Sequence, residues 1–597
     1  MFGRTQHTVS RPRMLVFLLT ASLASVVGFA SPQAVEGTAE QSFHQLMERA
    51  MATMEWEMKQ APMTDDFDHD FAAMMIPHHQ GAVEMAKAYL LYGKNPVLRR
   101  LAREIIVTQQ QEIEVMRREL ERIKPQTPQP DTNRTHRHPS NLNDNPPQRS
   151  ISGRDRVYTA DQSSNTVSVI NPQKNTLLGV IRLGDPTPGN LSPLYKGQLL
   201  VHGLGFSPDG RTLAVVSIGS NSVAFIDTKT NRVKRITYVG RSPHEPTFTP
   251  DGREVWVSVR GENYVQVMDA KTYEPKLRIP VPDGPGMVTF SPDGKYGFVC
   301  SSFTPEMVVV DVRSHHVIAR LRQASPFCPN SAVTPDGRQV WITLKDIGKV
   351  QVFNARPPFN EIALIETGPI TNHVNFVRNE RGQFAYVTVG GLNEVKAFTT
   401  DEKPQLVATI PVGDLPHGLW PCGDGSRIYV GLENANAVMA IDTRTQQVIA
   451  TIPVGQSPQA LVYVPNAVED ENEGTKNLVP LGVLSEAVHL RLGTPGSQEA
   501  KTTVVVNNQG LIDLLQAAVT GLEPHTEYVL ALAQNPNGSG ELEPIARFKT
   551  NPAGAAIVTA VGPLRRVVTA DTPEVRRYLV IAPLVNGKPA TPVQVQH

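Results

Sequence analysis

Turn glycines recur at Gly210, Gly252, Gly294, Gly337, Gly382 and Gly425, at spacings of 42, 42, 43, 45 and 43 residues. Five of them follow an aspartate, and four close SPDG or TPDG tetrapeptides. Each turn leads into a short alternating apolar segment, among them 213–218, 255–259, 296–301, 340–344, 384–389 and 428–432. An Asn/Gly break follows, then a second such segment (222–227, 264–269, 437–442), and a last strand such as 448–454 ends the unit. Four strands in roughly 40–45 residues is the period of a β-propeller blade. Residues 156–183 hold the second, third and fourth strands of a unit without the first, and QSPQALVYV, near residue 460, holds a first strand with nothing after it. Joining the two completes a seventh blade and leaves no open sheet edge. The spacing therefore predicts a seven-bladed β-propeller over 154–468.

A length of 597 residues leaves room for other domains, at roughly 100–200 residues each. Residues 1–30 place Arg4, Arg11 and Arg13 before an apolar run from Met14 to Phe29 that ends in small residues, the order of a secretory signal peptide cleaved after Ala30. That run is short for a membrane span, and no later segment is apolar enough for one. Residues 41–123 read as a small helical bundle. Leu46, Ala50, Met54 and Met58 recur at helical spacing, a second helix is expected from about Thr64 to Tyr92 with Thr64 or Asp65 as cap and Gly93 as stop, and a third from about Pro96 to Ile123. Short connections imply antiparallel packing. Residues 124–153 are a proline-rich linker, whose His136 and His138 read as solvated. Residues 477–597, with strands expected near 500–506, 528–534, 543–550, 555–561 and 577–583, suit a β-sandwich. The chain is thus multidomain and mainly β.

Composition excludes several functions. With 57 basic and 57 acidic side chains the net charge is zero, against the basic excess of a nucleic-acid binder. Three cysteines form no disulfide framework, no CxxCH is present to attach haem, and no glycine-rich nucleotide loop opens a helix.

Two groups of residues carry chemistry. Nine of fifteen methionines lie between residues 47 and 116, in the same stretch as His44, His69, His78 and His79. Thioethers suit Cu(I), and imidazole suits either copper oxidation state. Met74 and His78, and Met75 and His79, are each four apart on one helix face, and Met85 lies seven beyond His78. The stripe Met47, Met51, Met54 and Met58 reads as core filler. In the propeller, His202, His244 and His417 each precede a turn glycine by eight residues and His373 precedes one by nine. All four are expected to start the innermost strand of a blade, at one mouth of the central channel. The other blades place Gly286, Pro329 (flanked by Cys328) and Gln459 there. This reads as a polar mouth for a small ligand or partner. A metal site, with Cys328 as a soft ligand, is the alternative, and ring distances across a seven-bladed channel weigh against it.

Three resemblances add to these readings. SSNTVSVINPQKN, TIPVG and LPHGLWPCGDGSRIYVGLENANAVMAIDTRTQQVIATIPVG resemble the YVTN-type propeller repeat family. Leu522, Pro524, Thr526 and Tyr528 resemble the tyrosine corner of fibronectin type III domains, where a Tyr hydroxyl ties a loop to its backbone. FDHDFAAMMIPHHQGAVEMAKAYLLYGKNPVLRRLAREIIVTQQQEIEVMRREL is similar to the bacterial family typified by periplasmic copper-binding CopM proteins. Asp68, Phe71, Met75, Ile76, Pro77, His78, His79 and Ala82 match that family's pattern, as do Ile105, Ile106, Gln109, Glu112, Ile113 and Met116. This last resemblance implies a ferritin-like bundle and copper binding outside the cytoplasm. It carries over Met75, His78, His79, Met85 and Met116 as candidate ligands, with Asp68 and Glu112 as further ligand or supporting positions.

The expectation is an exported copper-binding protein, periplasmic or secreted, serving sequestration, buffering or resistance rather than catalysis. Its propeller would offer a docking face to a protein partner. A propeller oxidoreductase with copper at the histidine-lined mouth and an envelope adhesion or scaffold protein are the alternatives.

Overall fold

The structure, a computed structural model, describes residues 39–64, 66–95, 150–184, 199–509 and 512–597, and part of 98–120. The expected signal peptide and His136 and His138 of the linker lie outside the described residues. The chain divides into two compact units, Met1–Arg137 and His138–His597. No helix among the described residues is long and apolar enough to cross a membrane.

The first unit contains α1 (Ala39–Gln60) and α2 (Phe67–Tyr92), with further helical residues between 98 and 120. The two helices run antiparallel, for the Phe43 ring meets Tyr92 at 6.0 Å while Met54 packs on Gly81. Met54 thus acts as packing, as a methionine stripe does when it fills an irregular helix contact. The cap of α2 is Asp66 rather than Thr64 or Asp65. Its carboxylate accepts hydrogen bonds from the Asp68 and His69 amides at 3.0 and 2.9 Å, two donors that the first helical turn leaves free. Gly93 ends the helix as expected.

The second unit opens with seven four-stranded antiparallel sheets. From the inside outward, blade 1 consists of Val201–Phe206, Thr212–Ser217, Ser222–Asp227 and Val233–Tyr238. The innermost strands of blades 2 to 6 are Pro243–Phe248, Pro285–Phe290, Ser331–Val333, Thr371–Asn379 and Pro416–Pro421. Blade 7 takes its innermost strand, Pro458–Val464, from the far end of the repeats and pairs it with Arg156–Asp161, Val157 lying opposite Tyr463. Second strands such as Thr212–Ser217 and Glu254–Val259 are buried throughout, whereas outermost strands such as His316–Arg322 alternate between half-buried and exposed sides. The core is therefore a set of clusters between adjacent blades, built from residues such as Trp256, Trp341, Phe225 and Phe298.

Around the axis the innermost strands sit edge to edge. A Cβ on Gly203 would collide with the carbonyl oxygen of His244, and one on Gly418 with that of Gln459. Glycine follows histidine at these two places because the neighbouring backbone occupies the side-chain position.

Residues 487–596 form one continuous sheet rather than the two separate sheets expected of a fibronectin-like sandwich. The three-residue strand Gln594–Gln596 pairs with Tyr578–Val585 on one side and Ala487–Gly493 on the other, joining the two halves. The end strands Leu542–Lys549 and Ala556–Gly562 approach one another, so the sheet curls into a barrel-like body around Leu515, Leu530 and Ile581. The five expected strands are present, and the Tyr528 hydroxyl accepts a hydrogen bond from the Glu523 amide at 3.3 Å, as a tyrosine corner requires.

Replacing Gly418 with alanine forces a backbone shift at the axis and should cost about 1–3 kcal/mol, as overpacking does. A calorimetric scan should show this as a lower propeller midpoint; an unchanged midpoint would contradict edge-to-edge packing.

Candidate functional site

Two places gather the residues singled out above. On α2, Met75 and His79 stand one turn apart, and His79 is fixed from both sides. Its Nδ1–H donates to the Met75 carbonyl at 2.9 Å, and its Nε2 lies 2.9 Å from Oε2 of Glu112 on the third helical segment. Met116, half-buried, follows Glu112 by one turn. His78 diverges from this pair: its ring is exposed and its plane stands at 65° to that of His79, with centroids 5.8 Å apart. Asp68 is exposed in the first turn of α2, and Met85, half-buried, follows the register of His78. The structure therefore brings together His79 and Glu112, and turns His78 and Asp68 to solvent. Among the described residues no three His, Cys, Asp or Glu side chains converge as a metal site.

The second place is the propeller mouth. Each innermost strand of blades 1, 2, 5 and 6 begins with a β-bulge, between Val201 and Leu204, Pro243 and Pro246, Thr371 and Val374, and Pro416 and Leu419. Just before each bulge one non-glycine residue (Leu200, Ser242, Ile370 or Leu415) adopts the left-handed conformation, with φ of 52°, 49°, 58° and 57°. Such residues are uncommon and cluster where a chain must re-aim a side chain. His202, His244, His373 and His417 all lie in these bulges. His373 is one residue later in its bulge than the others, and Asn372 takes the place equivalent to His202. Its ring nevertheless reaches His417, at 4.8 Å between centroids. His202 lies 6.4 Å from His417 and 4.6 Å from His244, and the Nε2 atoms of His202 and His244 share a hydrogen bond of 3.0 Å. His417 donates from Nδ1 to the Gln459 carbonyl at 3.1 Å, which leaves its Nε2 bare, 4.0 Å from Oε2 of Glu433.

Cys328 does not join them as a soft ligand. It is bonded to Cys300, so its sulfur holds no free thiolate. The bond ties the end of one blade-3 strand to the loop that carries Phe327. Phe327 and Phe303 flank the guanidinium of Arg260, at 5.1 and 5.7 Å from its central carbon.

Arg260, Lys345 and Glu433 are site residues that the sequence reading missed. Each follows the last residue of a second strand (Val259, Leu344, Leu432), so aligning the repeats on that position rather than on the turn glycines exposes them. Burial dominates their electrostatics. It pushes Arg260 down to about 10, lowers Lys345 and raises Glu433. His202 and His373 are driven to about 3, first by burial and then by neighbouring charge, Arg260 acting on His202 and Lys345 on both. His244 and His417 are lowered in the same way, and buried Glu245 is raised. The four imidazoles are therefore neutral near pH 7.

The C-terminal body sits on this face of blades 4 to 7. Gln516 donates to Oε1 of Glu433 at 2.6 Å and to Asn434 at 3.0 Å. Arg491 pairs with Asp414 at 2.7 Å, Asn436 donates to Asn507 at 2.7 Å, and the Ala553 amide bonds the Asp346 carbonyl.

Fold and sites define a helical unit joined to a seven-bladed propeller with a barrel-like C-terminal body. Residues 18–120 match the family profile described as Domain of unknown function (DUF305), so the helical unit is a DUF305 domain. Residues 206–301 match the profile described as Cytochrome D1 heme domain. Among solved structures, a chain of Kuenenia stuttgartiensis Hydrazine Synthase is 20% identical with a TM-score of 0.40, over 47% of this chain and 93% of that one. A functionally unknown protein from Desulfotomaculum acetoxidans DSM 771 is 13% identical with a TM-score of 0.44, over 51% and 98%. No curated protein sequence matches.

Neutral burial of the histidines sets a pH dependence. Below about pH 6.5 the unfolded imidazoles bind protons, while folded His202 and His373 stay unprotonated until about 3. Their contribution to stability is full above pH 6.5 and falls as the pH drops from 6.5 toward 3. The carboxyls of Asp161, Glu245, Asp414 and Glu433 are raised by burial and act with the opposite sign, so the histidine contribution is read by comparison with a variant that lacks it. Between pH 7 and pH 5 the wild-type propeller midpoint should lose more on acidification than that of a His202→Gln/His373→Gln variant; equal slopes would refute neutral burial.

Proposed function

We propose that the protein is an exported copper-binding protein whose metal is held on the helical unit by His79 and Glu112, with Met75 and Met116 as neighbouring soft donors. One observation carries this reading. The Nδ1–H of His79 is satisfied by a backbone carbonyl, and its Nε2 is aimed at a carboxylate 2.9 Å away. A metal-ligating imidazole is oriented in this way, with one nitrogen fixed by a hydrogen bond and the other presented to the ion. Two donor atoms at that separation can bind one ion side by side, given metal–ligand bonds of roughly 2 Å. Thioether sulfur one turn from each of them favours copper over harder ions. The ion is cargo in this account, captured and released, and no reaction is assigned.

The Cys300–Cys328 bond supports an oxidising compartment, in keeping with the amino-terminal signal. The haem in the description of the matched profile does not fit the mouth, where imidazoles contact one another and leave no slot for a planar macrocycle. Copper at the mouth is disfavoured as well. Arg260 and Lys345 would repel a cation there, and desolvated charges interact on the order of several kcal/mol.

In a competition titration of the mature protein with a copper chelator, Glu112→Gln should weaken binding roughly 10–100-fold, the range for losing a supporting or weak ligand. His79→Ala should weaken it more, and His78→Ala should leave it unchanged. Loss confined to His78→Ala would overturn this ligand assignment.

A further inference from the structure

The mouth of the propeller carries more positive charge than its own residues balance. Among the described residues no carboxylate stands within ion-pair distance of Arg260 or Lys345. Burial alone moves Arg260, and the single attractive partner of Lys345 is Glu433. Glu433 is itself engaged by Gln516. Nε of Arg260 is buried without a hydrogen-bond partner, and its faces rest on Phe303 and Phe327. A guanidinium between two rings whose Nε–H is buried and unsatisfied is costly unless something supplies the missing acceptor.

The histidines point the same way. Whichever Nε2 carries the hydrogen shared by His202 and His244, the ring that accepts it must carry its own hydrogen on Nδ1. When His202 is the accepting ring its Nδ1–H is buried without a partner, whereas the ring of His244 has the Gly286 carbonyl beside it as an acceptor, so the open donor is on His202. His202 and His373 are only half-buried, so the cluster lines space that solvent reaches.

We propose that the channel mouth is a binding site for a small oxyanion or carboxylate, held by Arg260 and Lys345 with the Nδ1–H of His202 as a further donor. A charged guanidinium offers a carboxylate or oxyanion two parallel donors, and Lys345 adds a second charge. Neutral imidazoles contribute donors without a charge of their own. The C-terminal body, through Gln516, holds Glu433 on the far side of the mouth, where it balances Lys345 without reaching Arg260. The same charges repel a metal cation, so this site and the helical copper site select ligands of opposite sign, and neither depends on the other.

The test uses the full mature chain in thermal-shift titrations with sulfate, phosphate, formate and acetate at fixed ionic strength, chloride serving as the reference salt. At least one of these anions should raise the propeller midpoint saturably, following the logarithm of one plus concentration over Kd. Calorimetric titration should give a single site per chain. Arg260→Gln should weaken that binding at least tenfold, Arg260→Lys should restore part of it, and copper binding should be the same in all three proteins. If Arg260→Gln fails to fold, Lys345→Gln replaces it, with the same loss expected. No saturable response to any of the four anions, or equal responses in wild type and variants, would overturn the proposal.

Discussion

Pairing of Pro458–Val464 with Arg156–Asp161 holds the propeller together and, with it, everything at the channel mouth. Residues about 300 apart in the chain share one sheet, so the seven innermost strands form a closed ring with no free edge. Closure draws these strands so near the axis that glycine is needed at 203 and 418. It also fixes the bulges from which the histidines project. A propeller open at this seam would leave His202 and His417, on either side of blade 7, without a common cavity.

The two candidate sites use the same side chain in different electrical settings. On the helical unit His79 faces a carboxylate, so a cation completes the pair. At the mouth His202 and His373 face Arg260 and Lys345, so the imidazoles stay uncharged and an anion completes the set. Residue type alone would have assigned copper to both places. The sign of the nearest formal charge separates them.

Much of the fold was legible in the sequence because it repeats. Turn glycines, their spacing and the incomplete end units predicted seven blades and the closing strand, and helical spacing predicted α1 and α2. The single rolled sheet at the C-terminus was not legible, because the strand that joins its halves, Gln594–Gln596, is too short to show a period. The Cys300–Cys328 bond was hidden since the two residues lie in different blades and meet only through the stacking of one blade on the next. At the helical site, spacing put His78 and His79 100° apart on α2 but could not say which faced the bundle. The contact with Glu112 decides it. Arg260 and Lys345 escaped notice because isolated basic residues after a strand look like any solvated turn.

Opposite ligand preference at the two sites is tested most directly by crystals of the mature protein grown with copper and the oxyanion selenate, with anomalous difference maps recorded at both absorption edges. The account predicts a copper peak between His79 and Glu112, a selenium peak beside Arg260 and Lys345, and no copper among His202, His244, His373 and His417. Copper bound by those four histidines would contradict it.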